Sequence, residues 1–274
     1  MIVRRALAAA VAAALLGRAQ APTVPVSLIP ELVVLAPAHP FRVAVRIQVP
    51  EGWHIFWKRP GQSGLPTTVA WQLPPHVVAD SVSWPAPERL DSAGVVTHVY
   101  RGDVILVAHF HVSRDAASGT VDLAAQLGWG ICREICVPQE RRVTLSLPIE
   151  SRPQASPRWP DIERIALARL PVSPPQLRVD ASAAGAGVTL TLRVGPEDAM
   201  SVRRAVYFPA DTGLPAAVVL QGRATRGGVS FTLPPVRGLR LNGVLVSDAG
   251  ASWPGGSRAL AIDVPIVPRD PTQR

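Results

Sequence analysis

Apolar and polar residues alternate along many short segments of this chain, and proline or glycine bounds most of them. In the first clear segment one face carries Phe41, Val43, Val45, Ile47 and Val49. Similar stripes occupy residues 121–129, 143–149, 188–194, 229–233 and 260–266, while 103–112 is apolar on both faces. Neighbouring side chains of a strand point to opposite sides, so a period of two predicts strands with one buried face. Together with 29 prolines, which interrupt helices, the pattern predicts an all-β fold of antiparallel sandwiches.

The stretch 151–175 departs from this pattern, because prolines crowd it and a helical segment replaces the alternation. A helix is predicted over 161–170, with Asp161 as its cap and with Ile162, Ile165 and Leu170 on its apolar side. We therefore expect a first β-sandwich over 24–150, a proline-rich linker with a short helix over 151–175, and a second sandwich over 176–270. Both cysteines and all six histidines lie before residue 137, so the chemistry is expected in the first domain.

The N-terminus has the features of an export signal. Arg4 and Arg5 precede an apolar run from Ala6 to Gly17, and small residues follow at a spacing suited to signal peptidase. We predict a signal peptide over 1–19, cleaved after Gly17-Arg18-Ala19. The alternative, a membrane anchor, needs roughly 20 apolar residues, which is more than this run supplies. We expect an exported protein with no membrane insertion after cleavage.

The positive charge of the chain does not indicate a nucleic-acid partner. The net charge of +8 falls to +5 when Arg4, Arg5 and Arg18 leave with the signal peptide. The remaining arginines are scattered, and no aromatic platform is interleaved with them, whereas nucleic-acid binders concentrate basic residues on one face. We interpret the charge as a contribution to solubility.

Two cysteines, Cys132 and Cys136, stand four residues apart, and cysteines of exported proteins usually pair. Extended residues four apart are separated by about 13 Å, and a disulfide needs Cα atoms roughly 5.5 Å apart. The chain must therefore turn at residues 133–135 for the bond to form. Closing so small a ring stabilises the fold by about 2 kcal/mol, against more than about 4 kcal/mol for a loop of about 100 residues. The spacing favours redox exchange and leaves a structural staple and metal binding open.

Other residues that could carry chemistry have simpler interpretations. His109 and His111 could bind copper or zinc together with the thiols, but we interpret them as polar positions on a half-exposed strand. His54 is interpreted as part of a packed turn. Trp129, just before the cysteines, is a candidate wall of their site as well as a core residue. No nucleophile elbow, phosphate loop or paired-carboxylate motif supports hydrolase or nucleotide chemistry.

Several motifs resemble one family. The run C-R-E-I-C-V-P at 132–138 resembles the C-x-x-x-C-[IV]-P element of the N-terminal periplasmic domain of the DsbD/ScsB thiol:disulfide interchange proteins. The run G-W-H-I-F-W-K-R-P-G-Q-S-G-L-P at 52–66 resembles another segment of that domain. W-P-A-P at 84–87 and Y-R-G-D at 100–103 follow in the expected order. Y-F-P at 207–209 and L-N-G-V-L-V at 241–246 are similar to the additional sandwich of ScsB-type members.

The resemblance implies two immunoglobulin-like antiparallel β-sandwiches with a short helical linker, and a location in the periplasm. Cys136 would form the mixed disulfide with a partner and Cys132 would resolve it. Leu90, between residues 87 and 94, would cap the disulfide, and Arg133 could favour a thiolate through its charge. The implied partners are a membrane thiol reductase and periplasmic thioredoxin-like proteins, with a link to cytochrome c biogenesis. Neither a cofactor nor a metal is implied.

The 274 residues contain no C-x-x-C and no counterpart of that family's membrane electron-conducting or thioredoxin-like domains. We therefore interpret the chain as a thiol:disulfide oxidoreductase module without an electron source of its own. Two alternatives use the same residues. One is a Cu(I)-binding or copper-tolerance module in which Cys132 and Cys136 hold the metal, and the other is a structural adaptor with an inert disulfide.

Overall fold

The computed structural model describes residues 21–185, 187–194, 202–210, 213, 214 and 216–268. The predicted signal peptide over 1–19 and the predicted end of the second domain at 269–270 lie outside these residues. The strands before the helix are β1 (Val26–Pro30), β2 (Leu32–Val34), β3 (Pro40–Gln48), β4 (His54–Gly61), β5 (Thr68–Gln72), β6 (Val77–Ser83), β7 (Glu88–Ser92), β8 (Val95–Tyr100), β9 (Asp103–Val112), β10 (Gly119–Cys132), β11 (Cys136–Ile149) and β12 (Gln154–Ala155). The helix α1 (Trp159–Leu167) precedes β13 (Arg178–Ala184), β14 (Gly187–Arg193), β15 (Arg204–Pro209), β16 (Val218–Thr225), β17 (Gly228–Leu233), β18 (Arg240–Ser247) and β19 (Ala259–Val267).

The strands before the helix build two antiparallel sheets that share a core. Hydrogen bonds order one sheet as β1-β3-β9-β6 and the other as β11-β10-β4-β8-β7, with β5 added on β10, while β2 and β12 form a short separate pair. The first sheet contributes Val45, Ile47 and Leu106 to the core, and the second contributes Ile55 and Leu127. Strands patterned with a period of two bury one face in this way because burial removes their apolar side chains from water. The prediction of an all-β fold is confirmed.

The strand β9 is apolar on both faces because a different element covers each face. Leu106 faces the core between the sheets. Its neighbours Ile105 and Val107 pack against Trp159 and Ile162 of α1 on the other side of the sheet. The helix therefore buries apolar side chains that would otherwise face water.

The helix starts earlier than the sequence predicts. It begins at Trp159 and ends at Leu167, whereas the expected span was 161–170. Arg158 occupies the N-cap position and Asp161 lies in the first turn, so the expectation that Asp161 caps the helix is wrong. The reason is Pro160, since proline is well tolerated in the first turn of a helix and lets it begin before Asp161. Among the described residues no helix is both long and apolar enough to cross a membrane.

The strands after the helix form a second unit with its own core. Their order, β13-β14-β17-β16-β15-β18-β19, closes on itself because β19 pairs in parallel with β13. The interior includes Leu190, Tyr207, Phe231, Leu245 and Trp253. The alternating segments 188–194, 229–233 and 260–266 supply strands β14, β17 and β19, and the expected second sandwich takes the form of a closed barrel.

Buried aromatic side chains connect the two units. The ring of Phe208 on β15 lies 5.2 Å from that of His98 on β8 and 6.4 Å from that of Trp57 on β4, measured between centroids. The backbone N–H of Ala217 donates a hydrogen bond of 2.8 Å to Nε2 of His98. Nδ1 of the same ring lies 2.6 Å from the carbonyl oxygen of Arg59. Because Nε2 accepts, the ring carries its proton on Nδ1 and donates it to that carbonyl.

Candidate redox site

The two cysteines lie directly opposite each other at the tip of the β10–β11 hairpin. The strands pair in continuous register from Gly119 with Ile149 to Cys132 with Cys136. Residues 133–135 form the turn, in which the N–H of Arg133 donates to the carbonyl of Ile135 over 3.2 Å. The Cα atoms of the cysteines are 4.2 Å apart and their sulfurs form a disulfide bond. The bend predicted at 133–135 is therefore present.

The disulfide presents its two cysteines unequally to solvent. Cys132 is 2% exposed and belongs to a small cluster with Phe56 and Val99, against which Leu90 packs. Cys136, on the edge strand β11, is exposed. The rate of thiol–disulfide exchange depends on access to the sulfur that is attacked. This asymmetry favours attack at Cys136 and departure of Cys132.

A cavity adjoins the disulfide on the outer face of its sheet. Ile131 points into the core, so the next residue, Cys132, points to the opposite face. The cavity has a volume of about 580 Å³ and both cysteines line it. β4 contributes His54 to the lining, and the β7–β8 hairpin contributes Leu90 and Asp91. The volume is in the range of sites that bind a small ligand or a few side chains.

Leu90 lies where the family resemblance places a cap. It stands on β7 opposite Thr97 of β8, and both residues line the cavity. Leu90 is partly buried because it packs against the cluster that contains Cys132. This position supports a shielding role for Leu90 at the buried cysteine.

Phe56, which was not among the predicted site residues, covers Cys132 as well. Its side chain is 4% exposed and lies in the same cluster as Cys132. Gly64 has φ of +109°, and a Cβ atom there would come within 2.4 Å of the Phe56 ring. The carbonyl of Phe56 also accepts a hydrogen bond of 2.6 Å from Oγ1 of Thr67. The segment 52–66 therefore supplies both a ring beside the buried cysteine and the glycine that leaves room for it. Gly64 is the one feature of the sequence that could have indicated a close-packed ring at this position.

Arg133 and Trp129 occupy different places. Arg133 lines the cavity, and its guanidinium lies 5.1 Å from the ring centroid of Trp53, within cation–π range. Trp129 is 3% exposed and lies in the core between the sheets. It precedes Cys132 by three residues on one strand, and an odd offset places the two side chains on opposite faces. The expectation that Trp129 forms a wall of the site is therefore wrong.

His54 is the cross-strand neighbour of Cys132. It begins β4, where its Cα pairs with that of Cys132 on β10, so it does not lie within a turn as interpreted from the sequence. The side chain is partly buried, lines the cavity and has its ring centroid 5.4 Å from that of Phe56. Burial lowers the pKa of His54, and the charge of Arg101 lowers it further. The imidazole is therefore neutral at pH 7.

The two histidines considered as metal ligands belong to the other sheet. Both lie on β9, where Nε2 of His109 is 3.0 Å from Oγ of Ser83 and Nδ1 of His111 is 2.9 Å from a carboxylate oxygen of Asp80. Within the part of the chain that the structure describes, no group of three or more histidine, cysteine, aspartate or glutamate side chains could hold a metal ion. Binding of Cu(I) by the two cysteines alone stays a prediction.

In a comparison with known families, residues 26–148 match the family model described as thiol:disulfide interchange protein DsbD, N-terminal. This region belongs to the DsbD N-terminal domain family. The match includes both sheets of the sandwich and the cysteine pair. The first domain thus matches the N-terminal domain of a thiol:disulfide interchange protein, and within the matched residues the disulfide lies at a hairpin tip.

Solved structures extend the fold comparison beyond the DsbD N-terminal domain. The N-terminal periplasmic domain of ScsB from Proteus mirabilis is similar with a TM-score of 0.59 and 18% identity, covering 89% of this chain and 93% of that one. The reduced DsbD N-terminal domain of Neisseria meningitidis shares 17% identity over 44% of this chain and 86% of that one, with a TM-score of 0.28. A comparison with curated proteins found no match. The ScsB similarity shows that the fold of both units together occurs in another protein.

Proposed function

We propose that the chain is a periplasmic thiol–disulfide exchange module that passes electrons through Cys132 and Cys136. The observation that carries the proposal is a disulfide with one exposed and one buried cysteine beside a cavity. A structural staple connects elements that are distant in the chain. This bond instead joins the last pair of two strands that are already in register along their length. The fold therefore has little need of it, and the bond is free to open.

The proposed chemistry needs two exchange steps. The thiolate of a reduced partner attacks the sulfur of Cys136, a new S–S bond forms, and Cys132 leaves with the electron pair as a thiolate. A second thiolate of the partner then attacks the partner's own sulfur in the mixed disulfide, and Cys136 leaves as a thiolate. Two electrons have moved to this protein and the partner is oxidised. The same steps in reverse reduce an oxidised protein.

The partners we propose are a membrane thiol reductase as electron donor and periplasmic thioredoxin-like proteins as acceptors. Membership of the DsbD N-terminal domain family supports this pair of partners. The predicted signal peptide and the periplasmic origin of the similar ScsB domain support the location. No cofactor enters the proposal, because the two sulfurs store both electrons.

A redox titration tests the proposal. The protein is equilibrated with glutathione mixtures of different ratio, free thiols are trapped with a maleimide, and the fraction reduced is measured. We expect a two-electron midpoint within the range of exchange proteins, about −120 to −270 mV. A midpoint far below about −300 mV would mark an inert bond and overturn the proposal. The double variant Cys132→Ser/Cys136→Ser is the control and should show no transition.

A further inference from the structure

Closing the disulfide requires a proton to leave the buried cysteine. When Cys136 carries a partner in a mixed disulfide, Cys132 attacks as a thiolate and must first lose its proton. Cys132 is 2% exposed, and its cluster consists of Phe56, Val99 and the adjoining Leu90, which neither accept nor donate protons. Water therefore has poor access to this thiol, and a nearby side chain that takes the proton would speed ring closure.

His54 is placed for this transfer. Residues directly opposite each other on antiparallel strands point to the same face, with Cβ atoms roughly 4.5–5.5 Å apart. His54 and Cys132 form such a pair. His54 also lines the cavity, so it borders both the buried cysteine and a space beside the exposed one. Its imidazole makes no hydrogen bond to any other residue that the structure describes, and its ring lies edge-on to Phe56, which clusters with Cys132.

The other charged groups that line the cavity are already engaged. Asp91 accepts hydrogen bonds from Arg89 over 2.8 Å and from the N–H of Gly94 over 3.2 Å. Arg101 and Arg133 carry guanidinium groups, which offer hydrogen-bond donors and no acceptor. The lowered pKa of His54, caused by burial and by Arg101, keeps the imidazole neutral and able to accept one.

We propose that His54 is the proton acceptor for Cys132. When the ring closes, the thiol proton of Cys132 passes to the imidazole, the thiolate attacks the sulfur of Cys136, and the partner leaves as a thiolate. When the ring opens, a proton taken up from solvent passes through the imidazole to the departing Cys132 sulfur. The inference rests on the proposed function, because it needs exchange to occur at Cys136.

The test follows ring closure as a function of pH. Reduced protein is mixed with excess oxidised glutathione, samples are quenched with acid, and mass spectrometry separates reduced, glutathionylated and disulfide forms. In the natural sequence the rate constant of ring closure should stay nearly constant from pH 8 down to about 6.5, since the neutral imidazole supplies the base. In His54→Gln and His54→Phe it should fall about tenfold for each pH unit below the usual thiol pKa of about 8.5.

The two variants separate proton transfer from packing. His54→Phe keeps an aromatic ring against Phe56 and removes the base, so a profile like that of the natural sequence in this variant would overturn the inference. His39→Gln, an exposed histidine before the other sheet, is the matched control and should keep the natural profile. If neither the natural protein nor any variant forms a mixed disulfide with glutathione, the proposed function is wrong. If the natural protein and all variants close the ring with the same pH profile, His54 is not the proton acceptor and the proposed function is unaffected.

Discussion

The imidazole of His98, in the first unit, accepts a hydrogen bond of 2.8 Å from the backbone N–H of Ala217 in the second. The same ring donates from Nδ1 to the carbonyl of Arg59, so both nitrogens are used by the neutral tautomer. A protonated ring would present a second N–H to the donor of Ala217. The junction of the two units therefore depends on an uncharged histidine that is 1% exposed.

This dependence predicts a loss of stability in acid. Burial lowers the pKa of His98 below 6.5 in the folded state. As the pH falls below 6.5, the imidazole is therefore protonated in the unfolded chain before it is protonated in the folded chain. The free energy of unfolding should then decrease, by at most about 1.4 kcal/mol per pH unit for this one group. Urea unfolding at pH 7.5, 6.5 and 5.5 measures the slope. His98→Gln should flatten it relative to His39→Gln, and equal slopes in the two variants would contradict the prediction.

The unequal burial of the cysteines predicts unequal reactivity of single-cysteine variants. In Cys132→Ser the remaining thiol, Cys136, is exposed, whereas in Cys136→Ser the remaining thiol is buried. We expect iodoacetamide to alkylate Cys136 at least about tenfold faster than Cys132 in the folded protein. In urea the two rates should converge. Equal rates in the folded protein would show that burial does not separate the roles of the cysteines.

Leu90→Ala tests the cover over the buried cysteine. Removing most of a partly buried side chain should lower the free energy of unfolding by about 1 kcal/mol, because apolar contacts with the cluster are lost. The rate of disulfide reduction by dithiothreitol should rise severalfold, because Leu90 lines the cavity beside both sulfurs and its truncation widens the approach to the disulfide. Val78→Ala, an exposed apolar residue on β6 of the other sheet, provides the comparison and should leave the reduction rate unchanged. A rate equal to that of Val78→Ala would exclude shielding by Leu90.

Gly64→Ala should perturb the site through Phe56. The new Cβ would lie within 2.4 Å of the ring, and the backbone at φ +109° disfavours any residue with a Cβ. We expect a loss of about 2–4 kcal/mol in the free energy of unfolding from overpacking and backbone strain together. Gly238→Ala isolates the strain, since its φ is +123° and no atom lies within 4 Å of the added Cβ. If both substitutions lower the free energy of unfolding by the same amount, the contact with Phe56 does not contribute to the loss.

Local pattern predicts the strands and the disulfide well, because both depend on residues that are close in sequence. β9 matches the predicted segment 103–112 in full, and the bend between Cys132 and Cys136 follows from the reach of a disulfide. The same rule of alternation, applied from Trp129 to Cys132, would have placed the tryptophan on the opposite face.

The remaining features depend on register between distant segments. His54 meets Cys132 across strands that are 78 residues apart in the chain, and no local signal sets which residues of β4 and β10 pair. Ala217 meets His98 across 119 residues. Pro160 allows helix α1 to begin before Asp161, and the first residue of the helix, Trp159, packs against Ile105 and Val107 of the distant strand β9. Long-range packing thus determines which residues neighbour the cysteines, whereas the apolar–polar alternation predicts the strands that contain them.

The position of the disulfide at the hairpin tip has a mechanical consequence. The strands β10 and β11 pair at fourteen positions, and the disulfide joins only the outermost pair. Reduction breaks that one covalent link, and the other thirteen pairs carry none. In the proposed exchange, the bond would therefore open and close while the rest of the hairpin stays paired. Successive clients would meet the same outline in either oxidation state, and discrimination between the two states would have to come from the sulfur atoms and their immediate surroundings.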